Sequence, residues 1–123
     1  MKPSVLWPLI VALIGCAPPA CDDTDDRLAR DVEILIGPSS ERAKSAQVRL
    51  VSYGARAVAL VEVGLYQADG VGRRRIVSTL TGIGDPVVLP ILDHLAANDP
   101  DDLVRSAAAS AAKTVRRARS SGP

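Results

Sequence analysis

The chain has 123 residues, of which 15 are basic and 14 acidic, with one histidine, two cysteines, two tyrosines, one tryptophan and no phenylalanine. This length carries at most one small domain, and the near balance of charge argues against bulk electrostatic attraction to nucleic acid. One histidine leaves no Cys/His zinc spacing, and a domain without phenylalanine or tryptophan lacks the stacking platform of single-strand nucleic-acid binders, so no metal, cofactor or nucleic-acid partner is expected.

The hydrophobic residues are unevenly spread. Lys2 precedes Val5-Leu-Trp-Pro-Leu-Ile-Val-Ala-Leu-Ile14, an apolar run of export-signal length that is too short to cross about 30 Å of hydrocarbon as a helix. It ends in Leu13-Ile14-Gly15-Cys16, an aliphatic, small, small, cysteine order. This resembles the lipobox of bacterial lipoprotein signal peptides, with departures at the single n-region charge and at Pro8. The resemblance implies diacylglycerol on the Cys16 thiol, cleavage before it and acylation of the new amino terminus. Several acyl chains, at about 0.8 kcal/mol per buried methylene, anchor where one would not. Ala17 after the cysteine, rather than aspartate, resembles default sorting to the outer membrane. Without residues 1–15, which hold Lys2 and no acid, the basic and acidic residues become equal in number. Cys21 is then unpaired within its chain, as a tether residue or as a thiol for an intermolecular disulfide.

Residues 16–25, rich in proline and aspartate, read as a solvated tether whose ten residues extend to roughly 33 Å. The domain is expected over 26–119. A first helix, Asp26–Ile36, places Leu28, Val32, Leu35 and Ile36 inward and Arg27, Arg30, Asp31 and Glu33 outward, and Gly37-Pro38 stops it. Ser39 or Ser40 caps a second helix to Tyr53, with Ala43, Ala46, Leu50 and Tyr53 on the inward face and Arg42, Lys44 and Arg49 in water. Gly54 ends it. The third, Ala55–Gln67, is apolar almost all round and implies neighbours on two sides, with Gly64 allowing close backbone approach. A fourth helix, Val71–Thr81, begins with Arg73, Arg74 and Arg75, three cations where the helix dipole disfavours them. They require a local acid such as Asp69, or a partner. Gly82-Ile83-Gly84 closes this helix, and Asp85-Pro86 opens a fifth to Asn98 that Pro90 bends. Asp99-Pro100 repeats the device for a sixth to Arg116, whose inward stripe is Leu103, Val104, Ala107, Ala108, Ala111 and Val115. Residues 120–123 read as a frayed end.

A shift of 30 residues superposes Gly54 on Gly84, Val58 on Val88, Leu65 on Leu95, Asp69 on Asp99 and Arg75 on Arg105, and sets Lys44 under Arg74. A period in this range signals a repeat architecture. Ile83-Gly84-Asp85-Pro86, Leu89-Pro90-Ile91-Leu92, Asp99-Pro-Asp-Asp102 and Val104-Arg105-Ser-Ala-Ala108 resemble the short HEAT-like repeats of the phycobilin lyase type, closely over 72–112 and approximately over 26–70. The resemblance implies an all-α, right-handed HEAT-like solenoid of about three antiparallel helix pairs, and a binding scaffold rather than an enzyme. It also implies that Arg75 and Arg105 form a ladder with Asp69, Asp99, Asp101 and Asp102. Against this stands a partner-facing basic row of Lys44, Arg74, Arg75 and Arg105.

His94 stands beside Asp93 without a GxSxG elbow, and Gly70-Val-Gly72 lacks the strand and spacing of a phosphate loop. The expectation is a monomeric protein-binding module in the bacterial cell envelope, held at a membrane through Cys16 and at the periplasmic face of the outer membrane. An accessory factor to an enzyme or chromophore reaction, or a small enzyme using His94, is the alternative.

Overall fold

The computed structural model describes residues 23–121, and among these the chain is all-helical, with no strand. The readings for the export signal and for Cys16 and Cys21 lie outside the described residues. Six α-helices follow one another: α1 (Asp23–Leu35), α2 (Ser40–Tyr53), α3 (Ala55–Gly64), α4 (Gly70–Ile83), α5 (Leu89–Asn98) and α6 (Asp102–Ser120), with a 3₁₀ turn at Pro86–Val88 before α5.

Helix α1 starts three residues before the expected Asp26. Asp23, Asp25 and Asp26 all fall in its first turn, where carboxylates favour the positive end of the helix dipole and extend the helix into the acidic run. Ser39 caps α2 by accepting from the Arg42 amide. The two glycines with positive φ, Gly54 at 63° and Gly84 at 67°, sit 30 residues apart at the ends of α2 and α4, conformations that cost other residues about 1–2 kcal/mol. Asp85 accepts from the Val87 amide at 2.9 Å. The fifth helix begins at Leu89, after the 3₁₀ turn, and not at Pro86, so Pro90 bends no helix: it lies in the first turn of α5, where its missing N–H leaves no gap in the ladder.

Helix α4 runs one residue earlier and two later than expected, through Gly82 to Ile83, and α3 and α6 also differ at their ends. Helix α3 stops at Gly64, and residues 65–67 follow as tight turns in which Leu65, Tyr66 and Gln67 donate to the carbonyls of Glu62, Val63 and Gly64. Helix α3 packs on α1 and on α4, while the face that carries Val63, 56% exposed, stays open. Helix α6 is capped by Asp101, which accepts from the Leu103 amide at 2.8 Å, rather than by Asp99. The inward stripe is therefore Val104, Ala108, Ala111, Ala112 and Val115, spaced by three and four except for the adjacent pair Ala111-Ala112. Leu103, one position off that face, is 58% exposed.

Helix α1 packs on α2 and α3, α2 on α4, and α4 on α6, while α6 also carries α5. Leu28, Leu35, Leu50, Ile76, Leu80 and Leu92 are the largest fully buried side chains, each worth about 1.5–3 kcal/mol on burial. Gly64 is needed where α3 crosses α1, because a Cβ there would lie 2.6 Å from Val32 Cγ1. Asp31, expected in water, is buried in α1. It accepts from Arg49 Nε at 3.0 Å and from an Arg49 terminal nitrogen at 2.8 Å, which joins α1 to α2 and corrects the placement of Asp31, while Arg49 stays exposed as expected. That hydrogen bond pushes the Arg49 pKa up.

Candidate functional site

The three arginines of α4 have three different fates. Asp69, expected as their counter-ion, instead caps the helix by accepting from the Gly72 amide at 2.7 Å. Gly70 and Gly72 belong to this turn, and a Cβ on Gly70 would collide with the Asp101 carboxylate. Arg73 reaches forward to Asp99, with Nε 2.8 Å from one carboxylate oxygen and a terminal nitrogen 3.3 Å from the other, and donates to the Ala68 carbonyl at 2.8 Å. Asp99 is held further by the Asp101 amide at 2.9 Å, and its side chain is 3% exposed. Arg75 reaches backward and donates to the carbonyls of Leu35 and Gly37 at 3.1 and 2.7 Å. Arg74 points into solvent.

Arg105, one period after Arg75, also serves a loop: it donates to the Asp99 carbonyl at 2.6 Å and pairs with Asp102. Two members of the basic row, Arg75 and Arg105, are thus half-buried and engaged with backbone. The other two, Lys44 and Arg74, are exposed and without a hydrogen-bond or ion-pair partner among the described residues. At the surface between α5 and α6, Arg116 forms a bidentate pair with Asp93 at 3.1 and 2.6 Å. That hydrogen bond holds the Asp93 carboxyl below its ordinary range and pushes the Arg116 guanidinium up.

A cleft of about 380 Å³ opens where α3 stops short, between its last turn and α5. Leu65, Ile91 and Leu95 form its apolar walls, and the Arg73–Asp99 pair lies along it. Tyr66, thrown outward by the turn after Gly64, stands 87% exposed at the edge. His94 is also on the cleft and exposed. Asn98 Nδ2 lies 3.2 Å from His94 Nδ1 and donates to the His94 carbonyl at 3.2 Å.

Comparison with protein-family models, curated proteins and solved structures gives no match.

Chemical inference therefore rests on the side chains. Among the described residues no group of three or more His, Cys, Asp or Glu could hold a metal ion, no helix is long and apolar enough to cross a membrane, and no buried side-chain nitrogen or oxygen lacks a hydrogen-bond partner. Sequence reasoning missed Arg73 and Tyr66. The signal for Arg73 was present: a turn aspartate beside a proline needs a cation if it is buried, and three arginines stood unexplained 24 to 26 residues earlier.

Proposed function

We propose that the chain is a lipid-anchored HEAT-like scaffold: a right-handed α-solenoid of about three antiparallel pairs (α1 with α2, α3 with α4, α5 with α6) that binds a protein in the bacterial cell envelope. The order of helix contacts supports the solenoid reading, since the second helices meet in sequence, α2 with α4 and α4 with α6. So does the recurrence of a positive-φ glycine after 30 residues and of an arginine that hydrogen-bonds loop carbonyls, Arg75 and then Arg105. Units of this kind leave a hydrophobic face open until a neighbour stacks on it.

Binding rather than catalysis is the function this reading assigns. The observation that carries it is the pair Lys44 and Arg74: one period apart, on successive second helices, exposed, and without a partner among the described residues. Folding gives these cations nothing to do, whereas a partner with an acidic surface does. The lipobox-like Leu13-Ile14-Gly15-Cys16 supports the anchor, with Cys16 as the lipidated residue.

Charge reversal tests the row. Lys44→Glu and Arg74→Glu touch no internal bond, so each should leave the melting temperature within about 2–4 °C of wild type, as for an ordinary surface substitution, while removing partner capture. Capture that survives both reversals removes the row. Arg75→Glu serves as the contrasting variant, because it breaks two bonds to the α1–α2 loop and should lower the melting temperature.

A further inference from the structure

We propose that the cleft between α3 and α5 binds an apolar peptide segment by a basic side chain set against Glu62 and Tyr66. This deepens the protein-binding reading, at a site separate from Lys44 and Arg74.

The charge of the cleft can be worked out group by group. Arg73 and Asp99 neutralise each other through two hydrogen bonds, and the remaining printed bond of Arg73 goes to the Ala68 carbonyl. His94 Nδ1 faces the Asn98 side-chain nitrogen at 3.2 Å. Glu62 is left as the uncompensated charge on the cleft, exposed and without a partner among the described residues. Four residues on, past the end of α3 and on the same cleft, the exposed Tyr66 offers a ring face, which attracts a cation by its quadrupole. A carboxylate next to a free aromatic face is a site for a guanidinium or an ammonium.

The walls specify what accompanies that cation. Leu65, Ile91 and Leu95 present aliphatic surface, and the cleft volume of about 380 Å³ lies in the range of ligand sites, about 300–1,000 Å³. The cleft is open along one side, where Tyr66 and Asn98 are exposed, so a chain can run through it. Each peptide unit brings one donor and one acceptor. The imidazole of His94 and the amide of Asn98, both on the cleft, offer groups to meet them. An apolar peptide with one Arg or Lys meets all three demands.

The probe is acetyl-Leu-Arg-Leu-amide, titrated into the isotope-labelled full chain in detergent micelles and followed by amide NMR. The proposal expects shifts confined to residues 62–66 and 91–98. Replacing the probe arginine by glutamine should weaken binding about threefold to fivefold, the scale of one exposed charge pair, and replacing it by glutamate should weaken it further. Glu62→Gln and Tyr66→Ala, both at exposed positions, should each weaken the arginine peptide by a similar factor without moving the melting temperature. Equal binding of the three peptides, shifts scattered over the surface, or indifference to both substitutions would overturn the proposal. Acetyl-arginine-amide binding as tightly as the tripeptide would overturn its apolar half. The Arg74→Glu chain should titrate the peptide like wild type, so partner capture that survives Arg74→Glu counts against the basic row alone, and peptide titration unchanged by Glu62→Gln counts against this cleft alone.

Discussion

Removing Arg73 should be among the most damaging single truncations of a partly exposed side chain in this fold. Its partner Asp99 has a side chain 3% exposed, and Arg73 is itself 19% exposed. Arg73→Ala deletes two charge-assisted bonds and leaves Asp99 with the Asp101 amide alone. Breaking a buried pair from one side costs about 3–5 kcal/mol. The adjoining cleft admits water to the vacated carboxylate, which places the cost at the lower end, about 3 kcal/mol. For a domain of this size that is a fall of about 12–24 °C in melting temperature. Asp99→Ala should cost less, about 1–2 kcal/mol, because Arg73 can turn to the water of the cleft. The double variant should then lose less than the sum. Denaturant unfolding of the four proteins gives the coupling directly, and more than about 1 kcal/mol is expected. A coupling below about 0.5 kcal/mol, or an Arg73→Ala protein within about 0.5 kcal/mol of wild type, would refute the claim that this pair ties α4 to the α5–α6 turn.

Three further outcomes follow from the geometry. Gly64→Ala should destabilise, because the helix gain of about 1 kcal/mol is outweighed by a Cβ 2.6 Å from Val32 Cγ1, a β-branched side chain with little freedom to turn. In a Val32→Ala background the same substitution should become neutral or stabilising, and an unchanged sign in unfolding titrations would contradict this. Gly54→Ala and Gly84→Ala should each cost about 1–2 kcal/mol for conformational reasons, since a Cβ meets nothing within 4 Å at Gly54 and only Thr81 O at 3.6 Å at Gly84. Asp93 has a carboxyl depressed in the folded state by its hydrogen bond from Arg116, so the unfolded chain binds the proton more readily. Its contribution to stability is therefore present above the ordinary carboxylate pKa near 4 and disappears as pH falls through the lower folded value. Asp93→Asn should flatten the acid limb of a melting-temperature profile, and an acid limb identical to wild type would show that the pair contributes nothing there.

Local rules carried the reading of this sequence wherever a residue acts on its own neighbours. Ser39, Gly54, Gly84 and Asp85-Pro86 perform the stops and starts that their types imply, and the 3.6-residue period found Leu28, Val32, Leu35, Ala43, Ala46 and Leu50. It went astray where tertiary pairing overrides type. Asp31 looks like a solvent residue until Arg49, 18 residues on, comes within 3 Å. Asp99-Pro100 copies Asp85-Pro86 locally, yet Arg73 takes the Asp99 carboxylate and the cap passes to Asp101. Leu103 and Tyr53, both expected inward, lie off the buried stripes of their helices, 58% and 36% exposed. The cleft was not legible at all, because it depends on α3 ending at Gly64, and a run of Val, Leu and Tyr gives no sign of stopping there. The arginine row was legible as charge but not as commitment: nothing local distinguishes Arg74, which is exposed, from Arg75, which binds two carbonyls across the α1–α2 loop.

The proposed function joins an anchor at Cys16 to a binding surface around Arg74, and one measurement in living cells addresses both. A photo-activatable amino acid placed at the exposed position 78 of the full chain, one turn from Arg74 on α4, followed by membrane fractionation, should give one discrete cross-linked adduct in the membrane fraction. Adding Cys16→Ser, which removes the thiol that would carry the lipid, should abolish that adduct while the domain still folds. No adduct from the anchored chain, or an undiminished adduct from the Cys16→Ser chain, would contradict the account.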